Sequence, residues 1–127
     1  MYKKGARKER ELVEMFWVHG WGAVRVPASG SKSKRPYPDV IASNGLRYIA
    51  LESKVMGKKA LYLKNAEVRR LYEFAEIFGC EPYFAIWTGR WIFIEPNSLI
   101  QTKNGYKITQ DLVVKKGIDF TELIKEG

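Results

Sequence analysis

The order of patterns along this chain predicts an α/β domain: a mixed central sheet flanked by helices. Three observations carry that prediction. An amphipathic helical stripe opens the chain, a second lies near its middle, and two pairs of short apolar runs around Gly-containing turns read as hairpins. Helices interleaved with strand pairs stack as layers about one sheet. With 127 residues, 46% of them hydrophobic and 28% charged, the chain has the size and composition of one folded domain, 1–127.

Residues 1–5 read as a basic tail. From Ala6 to His19, Leu12, Val13 and Phe16 recur at helical spacing, and Gly20 ends the helix. Glu9 lies at the N-terminal end of that apolar stripe. It is either a carboxylate favoured by the helix dipole or an acid that a site requires. Lys4, Arg7, Lys8 and Arg10 surround it and are expected to meet phosphate. Trp21–Val26 reads as a strand, in which Arg25 is an edge residue or a phosphate ligand. Pro27–Pro38 is a loop made cationic by Lys32, Lys34 and Arg35, with Ser29 and Ser31 placed to hydrogen-bond a phosphate or a water.

A hairpin follows, Val40–Ser43 and Leu46–Val55, around an Asn44-Gly45 turn. A two-residue turn sets Asp39 opposite Ala50 and puts Asp39, Ala50, Glu52 and Lys54 on one face. Asp39 and Glu52 are then diagonal neighbours roughly 7–8 Å apart. Two carboxylates on a largely apolar strand pair repel each other unless a cation lies between them. The spacing thus indicates a metal site with a lysine beside it, or, alternatively, a solvated Glu52–Lys54 salt bridge. Met56–Lys59 is a basic turn with Lys58 and Lys59. Asn65 is read as the N-cap of a helix with the stripe Val68, Leu71, Tyr72, Ala75 and Phe78, closed by Gly79. Arg69 and Arg70 are assigned to its solvated face. Pro82–Thr88 and Trp91–Glu95 form the second hairpin, whose Phe84, Trp87, Trp91 and Phe93 are assigned to the core or a subunit interface. Asn97–Gly117 reads as irregular, with a strand near Tyr106–Ile108. Asp119 caps a short helix, Phe120–Lys125.

The net charge of +8 fits a polyanionic partner, nucleic acid first, with an anionic membrane surface or simple solubility as other readings. No apolar run is long enough to span a bilayer, so no membrane partner is expected. The one cysteine, Cys80, excludes an internal disulfide and fits a reducing cytosol, hence a cytoplasmic location. With His19 the only histidine, any metal must be a hard cation held by oxygen, such as magnesium or manganese.

Pro38-Asp39 followed by Glu52-Ser53-Lys54 resembles the PD-(D/E)xK signature of metal-dependent nucleases. Together with the segment Lys4 to Arg10 and the VRVPASGSK run (Val24 to Lys32), it makes the chain similar to the archaeal-type Holliday junction resolvases, from Lys4 through Ala75. That resemblance implies a restriction-endonuclease-like fold, a homodimer, and Mg2+-dependent cutting of four-way junction DNA, with Mn2+ substituting and no small-molecule cofactor. Position by position, it implies Glu9, Asp39 and Glu52 as the acids, Lys54 as the lysine and Ser29 as the active-site serine. Glu67 falls where some members carry glutamine, which leaves its role open. The mechanism expected is metal binding by Asp39, Glu52, the Ser53 carbonyl and Glu9. Lys4, Arg7, Arg10, Arg25, Ser31, Lys32, Lys34, Arg35, Lys58 and Lys59 are expected to contact DNA. A nuclease for duplex or damaged DNA shares this core. A non-catalytic basic DNA-binding module has no need of three acids facing a polyanion.

Overall fold

The computed structural model describes residues 4–27 and 34–125. Helix α1 (Lys4–Val18) leads into strands β1 (Gly22–Arg25), β2 (Val40–Ser43), β3 (Tyr48–Val55) and β4 (Leu61–Lys64). Helix α2 (Asn65–Phe78) follows, then β5 (Glu81–Trp87), β6 (Trp91–Ile94) and a 3-10 turn at Pro96–Ser98. Strands β7 (Ile100–Gln101) and β8 (Gly105–Ile108) and helices α3 (Gln110–Lys116) and α4 (Phe120–Leu123) complete the chain. The main sheet has the order β1-β2-β3-β5-β6 and is antiparallel except for the central pair β3 and β5. That parallel pair requires a crossover, supplied by β4 and α2. The expected mixed sheet flanked by helices is therefore present.

Alternation along β3 divides the core. Ile49 and Leu51 pack with Leu12 and Phe16 of α1, with Val40 and Ala42, and with Phe120 and Leu123 of α4. Ala50 faces the other way, into a cluster with Val68, Leu71 and Phe74 of α2, Phe84, Ile86, Ile108 and Leu112. Glu52 and Lys54 share the parity of Ala50 and so lie on the α2 side. Phe84 and Phe93 are fully buried and Trp91 nearly so, which places those aromatics in the core.

Three sequence expectations need correction. The hairpin turn is longer than two residues: Ser43 pairs with Tyr48, leaving Asn44–Arg47 as the loop. Asn44 Oδ1 accepts from the amides of Leu46 (2.9 Å) and Arg47 (2.8 Å), the Asn44 amide donates to the Arg47 carbonyl at 3.3 Å, and the Arg47 side chain donates to Glu81 from Nε and Nη2, each at 2.8 Å. The register therefore moves by two residues, which preserves the faces of β3. The N-cap of α2 is Lys64, not Asn65, and Glu67 Oε2 accepts from the Lys64 amide at 3.0 Å. Residues 97–117 hold the strand expected near Tyr106–Ile108 as β8, but are otherwise more regular than expected: β7 and β8 join β4 in a second, three-stranded sheet, and α3 follows. Asp119 caps α4 as expected, accepting from the Glu122 amide at 2.8 Å. Among the described residues, no helix is long and apolar enough to cross a membrane.

Candidate active site

Strand β3 outruns its neighbour. The β2 ladder begins at Val40, opposite Leu51, while β3 continues to Val55. Beyond Leu51 the β2 side of β3 is a notch, and Asp39 occupies it. The Asp39 amide donates to the Leu51 carbonyl (3.0 Å), and its carbonyl accepts from the Val26 amide (2.8 Å). Asp39 and Val40 thus both stand against Leu51, the two-against-one count of a β-bulge, while the longer hairpin loop is what moves Asp39 away from Ala50. Its Oδ2 accepts from the Ser53 amide at 2.9 Å. At 8% exposure Asp39 is the only buried polar or charged side chain among the described residues.

Glu52 follows on β3, and its carboxyl is pushed up to about 8, first by burial and next by the charge of Asp39. Lys54 opposes that rise, while Glu67 and Glu9 add to it. Glu9 approaches from α1. Burial and the charge of Asp39 raise its carboxyl above the usual range, against a hydrogen bond from Arg25 Nε to Glu9 Oε1 at 2.8 Å. Glu9, Asp39 and Glu52 are thus electrostatic neighbours, as the sequence indicated. Yet among the described residues no three Asp, Glu, His or Cys side chains are grouped as a ready metal cage. The Glu9 carboxylate is instead paired with Arg25.

Lys54 is paired with Glu67, whose Oε1 accepts from its Nζ. Burial alone would raise the Glu67 carboxyl, but hydrogen bonds from Lys54 and the Lys64 amide bring it below its ordinary value. This settles where Glu67 lies: at the start of α2, over the lysine. A cavity of about 380 Å³ lies here, lined by Tyr37, Glu52, Lys54, Lys64, Glu67 and Arg70. Arg70 is not simply solvated. It donates to the Arg35 carbonyl at 2.9 Å and fastens the far end of the basic loop to α2. Tyr37, Lys64 and Arg70 were not found from sequence, since only the crossover brings α2 over β3.

The remaining cations are dispersed. Arg7 and Arg10 are exposed on α1, and Lys34 and Arg35 are exposed at the end of the basic loop. Lys8 does not point at phosphate: its Nζ lies 3.6 Å from the Trp87 ring centroid and 2.9 Å from Glu11 Oε1. Lys58 and Lys59 line a separate hollow with Val55 and Leu61, apart from the carboxylates. Ser29, Ser31 and Lys32 lie outside the described residues, as does the Lys4 side chain.

A mixed sheet flanked by helices, with acids and a lysine gathered where β3 outruns β2, defines a class: α/β domains with an acid-and-lysine centre at the sheet. Comparison with known proteins narrows it. The family model for archaeal Holliday junction resolvase (Hjc) matches residues 1–127, and the chain belongs to that family. It is 38% identical over 125 residues to the crossover junction endodeoxyribonuclease Hjc of Archaeoglobus fulgidus, covering 97% of this chain and 90% of the relative. Against the protein of the same name from Methanocaldococcus jannaschii, identity is 32% over 127 residues, covering 99% and 90%. The solved structure of Archaeoglobus fulgidus Hjc, a Holliday junction resolvase, superposes with a TM-score of 0.87 at 36% identity, covering 94% of this chain and 98% of that one.

Proposed function

We propose that this chain is a structure-selective endodeoxyribonuclease that resolves four-way DNA junctions by metal-dependent phosphodiester hydrolysis, acting as a homodimer. The observation that carries the reading is the convergence of Asp39, Glu52 and Lys54 in the notch beside β3. A carboxyl pushed up to about 8 by burial and by neighbouring acids belongs to a cluster that a cation would relieve. The donors are all oxygen, so Mg2+ suits them, with Mn2+ as a substitute. Asp39 and Glu52 would hold the ion. The Ser53 amide points at Asp39, and a strand residue's carbonyl leaves by the same edge as its amide, so the Ser53 carbonyl would be available as a third donor. Glu9, held by Arg25, acts from α1 through water.

A divalent cation held there would supply Lewis-acid chemistry, polarising a phosphodiester oxygen and making a water more acidic. Lys54 positions that water and balances the negative charge that grows on the phosphate. Glu67 restrains the ammonium at the wall of the cavity. Attack in line with the leaving 3′ oxygen gives a 5′-phosphate and a 3′-hydroxyl. Arg7, Arg10, Lys34, Arg35, Lys58 and Lys59 supply phosphate contacts, which give affinity without sequence information. Two copies related by a two-fold axis cut symmetric strands.

Asp39→Asn tests the reading directly. Cleavage of a synthetic junction should be abolished while junction affinity is nearly unchanged. Equal loss of both would make Asp39 a structural residue and remove the mechanism.

A further inference from the structure

The three-stranded sheet takes no part in the chemistry above, yet it adjoins it. Its strands and the 102–104 turn carry Lys64, Lys103 and Lys107 and no Asp or Glu. The register sets Tyr62 opposite Lys107 and Lys64 opposite Gly105. Alternation then puts Tyr62, Lys64 and Lys107 on one face, away from Leu63 and Ile108, which are buried in the core. Tyr62 is 67% exposed. Across from Lys64 there is no side chain, and a hollow of about 270 Å³ lies there, lined in part by Tyr62, Lys64 and Thr102. Lys64 also lines the cavity of Glu52 and Lys54. Lys64 thus borders both hollows, and a trough through it would run from the carboxylates onto the small sheet.

We propose that this trough holds the DNA strand continuing from the scissile phosphate, with Lys64 and Lys107 on its phosphates and one unstacked base on the Tyr62 ring. The proposal deepens the nuclease reading and rests on it. A strip of one charge sign fits a phosphate backbone. An exposed aromatic ring within that strip offers a face to a base, whatever its identity. Bases inside a duplex are stacked on both sides and cannot use it. At a branch point the stack is interrupted, so Tyr62 favours a junction over its arms.

The test uses the full chain and a four-way junction carrying 5-iodo-2′-deoxyuridine at the branch point, irradiated without divalent metal. The cross-link should map to Tyr62. In Tyr62→Ala it should disappear, and junction binding should weaken at least about fivefold, while Tyr62→Phe keeps both. A cross-link elsewhere, or a Tyr62→Ala protein that binds like the parent, overturns the proposal. Weaker binding accompanied by a changed oligomeric state also overturns it, because the surface would then belong to a second copy. The parent protein is assayed in parallel for junction cutting. Cutting without the cross-link removes the trough and leaves the nuclease, whereas no cutting in Mg2+ or Mn2+ removes both.

Discussion

At Glu52 the site's electrostatics become measurable without substrate. Its ordinary carboxyl value is 4.5, and in the folded chain it is pushed up to about 8 by burial, then by Asp39. The folded state therefore binds this proton more tightly than the unfolded one does. Its contribution to stability is fully present below about 4.5 and is lost as pH rises through about 8. Metal-free protein should lose stability relative to Glu52→Gln across that window, by at most about 1.4 kcal/mol per pH unit. Divalent cation should restore what is lost. Denaturant melts of both proteins at several pH values measure the difference, and a constant or rising difference would contradict this account. Glu9, Asp39, Glu52 and Lys54 were legible in the sequence, because an acid on an apolar helical stripe and acids on an apolar hairpin are out of place. The partner of Lys54 was not. Glu67 stands in the first turn of α2, where an acid has an ordinary explanation in the helix terminus, and only the crossover brings it over β3.

Among the elements, the long periodic segments and most of the short ones were read correctly, and β4, β7 and α3 were not. Both major helices and the strands of the main sheet follow from their stripes and turns. The hairpin loop was misjudged because Asn44 turns the chain through its own side chain, which accepts from the Leu46 and Arg47 amides. The strand expected near Tyr106–Ile108 is β8, but its partners β4 and β7 have only four and two residues, too few to show a period. Their sheet depends on a close backbone approach instead. A Cβ at Gly105 would lie 2.3 Å from the Leu63 carbonyl oxygen, which a relaxed sheet cannot accept. Gly105→Ala should therefore destabilise the fold by about 1–3 kcal/mol, read as a lower denaturation midpoint. An unchanged midpoint would mean that β4 and β8 are not held as described. Because β4 ends at Lys64, where α2 begins, this sheet also sets the position of Glu67.

For the whole molecule, fold and chemistry meet at one feature, the notch where β3 outruns β2. It lets α1 bring Glu9 from one face of the sheet and α2 bring Glu67 from the other, with Asp39 between. The chain as a whole carries a net charge of +8, which attracts the backbone of DNA, and on the proposed mechanism a cation would seat its phosphate at the acidic centre. The direct measurement is cleavage of a labelled four-way junction beside a linear duplex of the same arms, with and without Mg2+ or Mn2+. The account predicts paired, symmetric nicks in the junction alone, only with metal, ending in 5′-phosphates. Equal cutting of the duplex, or cutting that persists in a chelator, would contradict it.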